Sequence, residues 1–150
     1  MRRFAFLFAL LLAGCSQRDL RTVVRVIDGD TVLLDGEERV RLIGIDTPET
    51  VHPSRPVECY GREASAFLRQ TVQGRNVRLQ FEQQRQDRYG RTLAYLYLID
   101  GTFVNAEMVR EGYAHAYTRY PFRHMEDFRR LERSAREAGR GLWGPACATQ

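Results

Sequence analysis

Two Asp-Gly turns in quick succession constrain this chain more than any other feature. Asp28-Gly29-Asp30 separates a Val- and Ile-rich run at residues 22–27 from a second run at 31–34, and Asp35-Gly36 separates that from a third at 39–45. Apolar runs this short, bounded by turn signals, read as strands rather than helices. In the third run Val40, Leu42 and Gly44 alternate with Arg41, Ile43 and Ile45. The three runs therefore form a β-meander.

Beyond a loop holding Pro48, Pro53 and Pro56, the hydrophobic period changes at Gly61. Ala64, Phe67, Leu68 and Val72 recur at helical spacing. Val77, Leu79 and Phe81 alternate as a fourth strand, a charged loop covers residues 82–90, and a fifth strand runs over 92–99. Asp100-Gly101 turns the chain back, and Asn105 is a credible N-cap for a short helix through Met108 and Val109. A last helix carries Phe128, Leu131 and Ala135 on its apolar face, with arginines around it, and stops near Gly139 and Gly141. No internal repeat divides the chain. Five strands with a helix between the third and fourth fit an all-β barrel with helices (α+β), the order of a five-stranded OB-fold barrel. Strand count alone also permits an open α+β sandwich.

At 150 residues the chain has room for one domain. With 28% charged and 43% apolar residues it is neither a disordered tail, a collagen nor a multi-span membrane protein. Its net charge is +4, and all 23 basic residues are arginine. Guanidinium suits a phosphate ligand, although compositional bias explains the absence of lysine equally well.

Residues 1–14 read as a signal peptide: Arg2 and Arg3 precede an apolar run of ten residues, 4–13. As a helix that run would cover about 15 Å, half of a ~30 Å hydrocarbon core. The ending Leu12-Ala13-Gly14-Cys15 resembles the bacterial lipobox, which makes Cys15 the expected lipidated N-terminus of a tether at residues 15–20. Ser16 in place of Asp points to the outer membrane. An exported, lipid-anchored protein of the bacterial envelope is expected, with a membrane as one partner; an ordinary signal peptide is the alternative. Processing leaves 21 arginines against 19 acids, a net of +2, so a nucleic-acid contact would depend on a local patch. The two remaining cysteines, Cys59 and Cys147, favour a disulfide in an exported protein, with two free thiols as the alternative.

Asp30 follows the Asp28-Gly29 turn and Asp46 follows an apolar strand, and singly each is an ordinary turn residue. If the second strand starts where the third ends, both carboxylates lie at one barrel end and suit a hard divalent cation, with the Thr47 carbonyl as a third oxygen. Binding would be weak, in the class of about 10⁻⁴–10⁻³ M. Arg41 interrupts an apolar strand and Arg91 follows Tyr89-Gly90. Together with a cation they would clamp a phosphodiester where charge builds in the transition state. Glu49 is then placed to orient or deprotonate a water.

Several blocks together carry a resemblance. Residues 27–31 (Ile-Asp-Gly-Asp-Thr), Arg41 with 45–50 (Ile-Asp-Thr-Pro-Glu-Thr), 60–67, 87–95 (Asp-Arg-Tyr-Gly-Arg-Thr-Leu-Ala-Tyr), Val104-Asn105 and 141–143 resemble the staphylococcal nuclease (thermonuclease) family, in its order and spacing. The resemblance implies an OB-fold barrel with three helices over residues 21–144, followed by a tail at 145–150. It implies Ca²⁺ bound by Asp30, Asp46 and the Thr47 carbonyl, with Asp28 behind them. Glu49 would act on the attacking water, and Arg41 and Arg91 would hold the phosphate. Arg88, Tyr89 and Tyr117 match substrate-binding positions. The implied activity is calcium-dependent, sugar-nonspecific hydrolysis of DNA and RNA at the 5′ P–O bond, leaving 3′-phosphates; a monomer is expected.

The chain departs from the family at Arg88, where the family has lysine, and at Arg119, where it has a second pocket tyrosine; Tyr120 stands one position later. His52, His115 and His124 read as surface or packing residues. Two rival readings are a silent OB module that binds nucleic acid or protein and a structural lipoprotein of the envelope. Neither accounts for Asp30, Arg41, Asp46, Glu49 and Arg91 occurring together.

Overall fold

The computed structural model describes residues 20–50 and 56–147. The expected signal peptide, Cys15 and His52 lie outside these residues. The chain forms β1 (Leu20–Asp28), β2 (Thr31–Leu34), β3 (Arg39–Leu42), β4 (Ile45–Asp46), α1 (Gly61–Val72), β5 (Asn76–Gln80), β6 (Thr92–Leu98), α2 (Val104–Arg110), β7 (His115–Ala116) and α3 (Met125–Glu137). Three α-helices are thus present among the described residues. No helix among them is long and apolar enough to cross a membrane.

The strands close a barrel in the order β1-β2-β3-β6-β5, the OB-fold arrangement. β1, β2 and β3 are the expected antiparallel meander, and β1 also pairs with β5, with Leu20 opposite Arg78. Closure depends on β3 and β6, which run parallel with Val40 opposite Thr92 and Leu42 opposite Ala94. Parallel neighbours need a long crossover, and α1 with β5 supplies it. Inward-facing Val23, Val26, Val32, Leu34, Val40 and Leu42 fill the barrel, each at most 4% exposed. Ala64, Leu68 and Val72 of α1 and Val104, Met108 and Val109 of α2 join the same core.

The expected third strand ends early. Gly44 takes φ 77°, and a Cβ there would stand 2.5 Å from the Phe122 ring, so only glycine fits this bend. Beyond it the chain starts a separate two-stranded sheet in which Ile45 pairs with Ala116 and Asp46 with His115.

Asn105 is not the N-cap that its sequence context suggests. Phe103 occupies that position, and Asn105 lies in the first turn of α2, fully buried. Its Oδ1 accepts the Leu96 amide at 2.9 Å, and its Nδ2 donates to the Ile43 carbonyl at 2.9 Å and the Ala94 carbonyl at 3.4 Å. Tertiary demand overrides the local capping preference because the Ile43 carbonyl and the Leu96 amide need a partner where β3 meets β6. A disulfide joins Cys59, before α1, to Cys147, with Cα atoms 5.8 Å apart and a sequence separation of 88. A link across so long a loop contributes about 2–4 kcal/mol.

Asn105→Ala leaves the Leu96 amide and the Ile43 carbonyl without their side-chain partner, while the Ala94 carbonyl keeps the Ile43 amide. It should lower the unfolding free energy by about 2–3 kcal/mol, read as a shifted urea midpoint with unchanged slope; an unmoved midpoint would show that the clamp is dispensable.

Candidate active site

The site is built at the rim where β2 begins and β3 ends. Thr31 pairs with Arg41, and the Leu42 amide donates to the Asp30 carbonyl at 2.9 Å, so the turn before β2 sits against the end of β3. Asp30 is only 8% exposed, far from the surface turn residue its Asp-Gly-Asp context suggests. Its Oδ1 accepts the Thr31 hydroxyl at 2.9 Å. Its Oδ2 accepts the Thr47 hydroxyl at 3.2 Å and amide at 3.4 Å, and lies 3.1 Å from Arg41 Nη1.

Arg41 binds both acids at once. Its Nη2 reaches Asp46 Oδ1 at 3.1 Å, while Nη1 also donates to the Ile45 carbonyl at 2.9 Å and the Leu42 carbonyl at 3.2 Å. Asp30 and Asp46, 16 positions apart, therefore face one guanidinium. Pairing of β4 with β7 holds Asp46 there.

Asp28 lies behind these groups. Its Oδ1 accepts the Gly29 amide at 2.8 Å, the Thr50 hydroxyl at 2.5 Å and the Ser65 hydroxyl at 3.1 Å, which ties the end of β1 to α1. Glu49 Oε1 accepts the Thr50 amide at 3.0 Å. The Glu49 backbone is braced from the far end of its loop: its amide donates to Glu58 Oε2 at 3.0 Å, and its carbonyl accepts the Glu58 amide at 2.9 Å. Glu58 adjoins the disulfide at Cys59. A Cβ at Gly61 would fall 2.6 Å from Thr50 Cγ2 and 3.0 Å from the Pro48 carbonyl, so glycine lets the start of α1 seat against this loop.

Arg91 comes from the other side. The parallel register puts Thr92 opposite Val40, which brings Arg91 beside Arg39 and Arg41 of β3. Asp87 holds it through Oδ2 to Nε at 2.7 Å and Oδ1 to the Arg91 amide at 3.0 Å. The result is an open cleft of about 340 Å³. Asp28, Asp30, Asp46 and Glu49 line one part of it, and Arg39, Arg41 and Arg91 another.

The acids outnumber the guanidinium between them. Asp46 has 52% of its side chain open to solvent, yet the cleft walls strip away enough water to raise its carboxyl above the usual range. Arg41 opposes that rise, and the charge of Asp30 adds to it. Burial likewise raises Asp28, against its three hydrogen bonds. Among the described residues no three His, Cys, Asp or Glu side chains form a ready-made metal cage. What the structure brings together is the carboxylates of Asp30 and Asp46 on one guanidinium: hard oxygen donors, short of positive charge, of the kind that suits a hard divalent cation completed by water.

Of the other expected residues, Tyr89 is 67% exposed, with the Arg88 and Arg91 guanidiniums 4.8 and 5.5 Å from its ring centre. Arg88 Nη2 also bonds the Tyr89 hydroxyl at 2.6 Å. Tyr117 is held by its amide to the Gly44 carbonyl at 2.9 Å, and its ring lies 6.2 Å from that of Tyr120. Tyr120 thus pairs with Tyr117, while Arg119 lies over the Tyr120 ring at 5.8 Å. His115 stacks edge-on against Trp143, and His124 against Tyr95 and Phe103. Both pack against rings, as the sequence suggests. Glu58 escaped the sequence reading because an exposed glutamate in a Pro-rich loop carries no local signal. Asp87 stood within a recognised block, but its grip on Arg91 was not foreseen.

The profile of the family described as Staphylococcal nuclease homologue matches residues 39–145. A thermonuclease of Staphylococcus hyicus is 40% identical over 137 residues, covering 87% of this chain and 80% of that protein. A thermonuclease of Staphylococcus intermedius is 50% identical over 97 residues, covering 63% and 57%. Endonuclease YncB of Bacillus subtilis is 38% identical over 128 residues, covering 81% and 60%. The chain spans most of the first of these relatives and somewhat over half of the other two. A family match over most of the chain, on a closed five-stranded barrel whose rim gathers the acids and arginines of the shared blocks, makes this chain a member of the staphylococcal nuclease family.

Proposed function

We propose that this protein is a calcium-dependent nuclease that hydrolyses DNA and RNA at the 5′ P–O bond and leaves 3′-phosphates. It is a phosphodiester hydrolase by family. The observation that carries the finer reading is the cleft itself, where Asp30 and Asp46 share Arg41 while Arg91 and Glu49 line the same space.

Asp30, Asp46 and the Thr47 carbonyl would hold Ca²⁺, which when bound supplies a Lewis acid for a non-bridging phosphate oxygen. Arg41 and Arg91 are fixed by acids and carbonyls and present guanidinium donors to the phosphate without reorganising as charge develops. Glu49 takes the proton of a water whose oxygen forms the new bond to phosphorus. The bond from phosphorus to the 5′-oxygen breaks, that oxygen takes up a proton, and the phosphate stays on the 3′ side. Asp28, held by Thr50 and Ser65, keeps the loop carrying Glu49 against α1.

We further propose export and lipid anchoring through Cys15, probed by labelled palmitate. The wild type should incorporate label and Cys15→Ser should not; equal labelling would overturn the anchor. The disulfide between Cys59 and Cys147 supports an oxidising compartment.

Glu49→Gln removes the proton acceptor and should lower kcat by about 10²–10⁴-fold. Arg91→Ala removes transition-state donors and should cost about 10²–10³-fold. Plasmid degradation by either folded variant at near wild-type rate would sink these roles. Chelator should abolish cleavage and added Ca²⁺ restore it, and end-labelling should find phosphate on the 3′ ends. Cleavage that survives chelation, or 5′-phosphate products, would overturn the calcium or bond assignment respectively.

A further inference from the structure

β3 sends two guanidiniums to the same side of the barrel. Arg41 is largely buried and paired with two acids. Arg39, two positions before it, is exposed, and its side chain has neither a hydrogen bond nor an ion pair among the described residues. Its neighbour Arg91 is held by Asp87, and Arg21 is held by Asp35 and Glu38. An uncommitted guanidinium at the rim of a cleft is available to a ligand.

Arg39 also stands at a junction. Besides the cleft already described, it lines a second open cleft of about 460 Å³ with Arg91, and Gln86, Tyr89 and Gly90 complete the inner wall. The two clefts meet at Arg39 and Arg91, the pair that the register of β3 and β6 sets side by side. On the outer wall Glu38 is neutralised: its carboxylate accepts the Thr92 hydroxyl at 2.7 Å and lies 2.5 Å from Arg21 Nη1. These bonds, that from Thr92 foremost, hold it below its usual range against the opposing effect of burial. Glu37 is the remaining acid there, exposed and in the left-handed conformation (φ 66°).

Residues i and i+2 of a strand lie about 6.6 Å apart along it. Neighbouring phosphates of an extended nucleic-acid strand follow one another at a similar interval. A phosphodiester seated on Arg41 and Arg91 therefore brings the next phosphate of the same strand within reach of Arg39. We infer that Arg39 and the second cleft form a phosphate subsite for the nucleotide adjoining the scissile bond, so that the protein grips a polynucleotide at two successive phosphates. This inference rests on the nuclease reading above. Glu37 opposes the second phosphate and weakens the subsite.

The test uses the full chain carrying Glu49→Gln, with Ca²⁺ held constant, so that binding is read with cleavage suppressed. The probes are a labelled single-stranded oligodeoxynucleotide and a deoxynucleoside 5′-monophosphate, each titrated between 50 and 200 mM salt. Adding Arg39→Gln should make the log–log salt slope for the oligonucleotide shallower by about 0.7. The wild-type advantage over the variant then shrinks about threefold across that range. The affinity loss should be larger on the oligonucleotide than on the mononucleotide. Arg39→Lys should keep the slope, Glu37→Gln should raise oligonucleotide affinity, and Arg69→Gln, on α1 outside both clefts, should change neither. An unchanged slope in Arg39→Gln, or an equal loss on both probes, would overturn the subsite alone. Absence of any nucleic-acid binding before Arg39 is altered would overturn the nuclease reading and the subsite with it.

Discussion

Parallel pairing of β3 with β6 is the constraint on which both the barrel and the cleft depend. Antiparallel neighbours would close with a hairpin, but these strands come from opposite halves of the domain and meet only after α1 and β5 have passed between them. Their register sets Arg91 beside Arg39 and Arg41. Nothing local fixes that register. Asn105 does so from α2, by joining Ile43 beyond β3 to Ala94 and Leu96 of β6 through one buried amide. A side chain with both donor and acceptor is required there, because backbone groups of both kinds are open at the seam.

The rim concentrates charges that a small domain would otherwise keep apart. Desolvation and mutual repulsion work against several carboxylates sharing one cleft. Each is instead bound by fixed donors: Asp30 by Thr31, Thr47 and Arg41, and Asp28 by Gly29, Thr50 and Ser65. Asp46 is the least compensated. It has one guanidinium partner and stays above its usual range. Arginine suits the opposite wall because its planar fork binds two acids at once and leaves its orientation fixed, which a lysine ammonium would not.

The strand runs, the switch of period at Gly61 and the acids and arginines of the site were legible in sequence because each rests on local pattern or on blocks whose order resembles a known family. What was missed is tertiary. Asn105 reads as an N-cap because capping is a local rule, whereas its work is across the barrel seam. β4 and β7 are two residues each, too short for alternation to register, yet they seat Asp46. Asp30 is legible as a site acid but its burial is not, because an Asp-Gly-Asp turn gives no sign that β2 and Thr47 enclose it. Glu58 is silent for a different reason: its only signal is a partner nine positions away across a loop.

That loop shows how the fold reconciles a precise site with irregular backbone. Glu49 lies on no strand or helix, so its position cannot come from a ladder of regular hydrogen bonds. Three local devices replace it. Thr50 caps the Glu49 carboxylate, Glu58 closes a reciprocal pair of bonds with the Glu49 backbone, and Gly61 lets α1 approach without a Cβ in the way. The disulfide then anchors the residue beside Glu58 to the end of the chain. Loop ends held this way lose less entropy when substrate arrives, because their freedom was already removed on folding. The same logic separates Arg41 from Arg39 on one strand: one guanidinium is immobilised between two acids, and the other is left exposed at the rim.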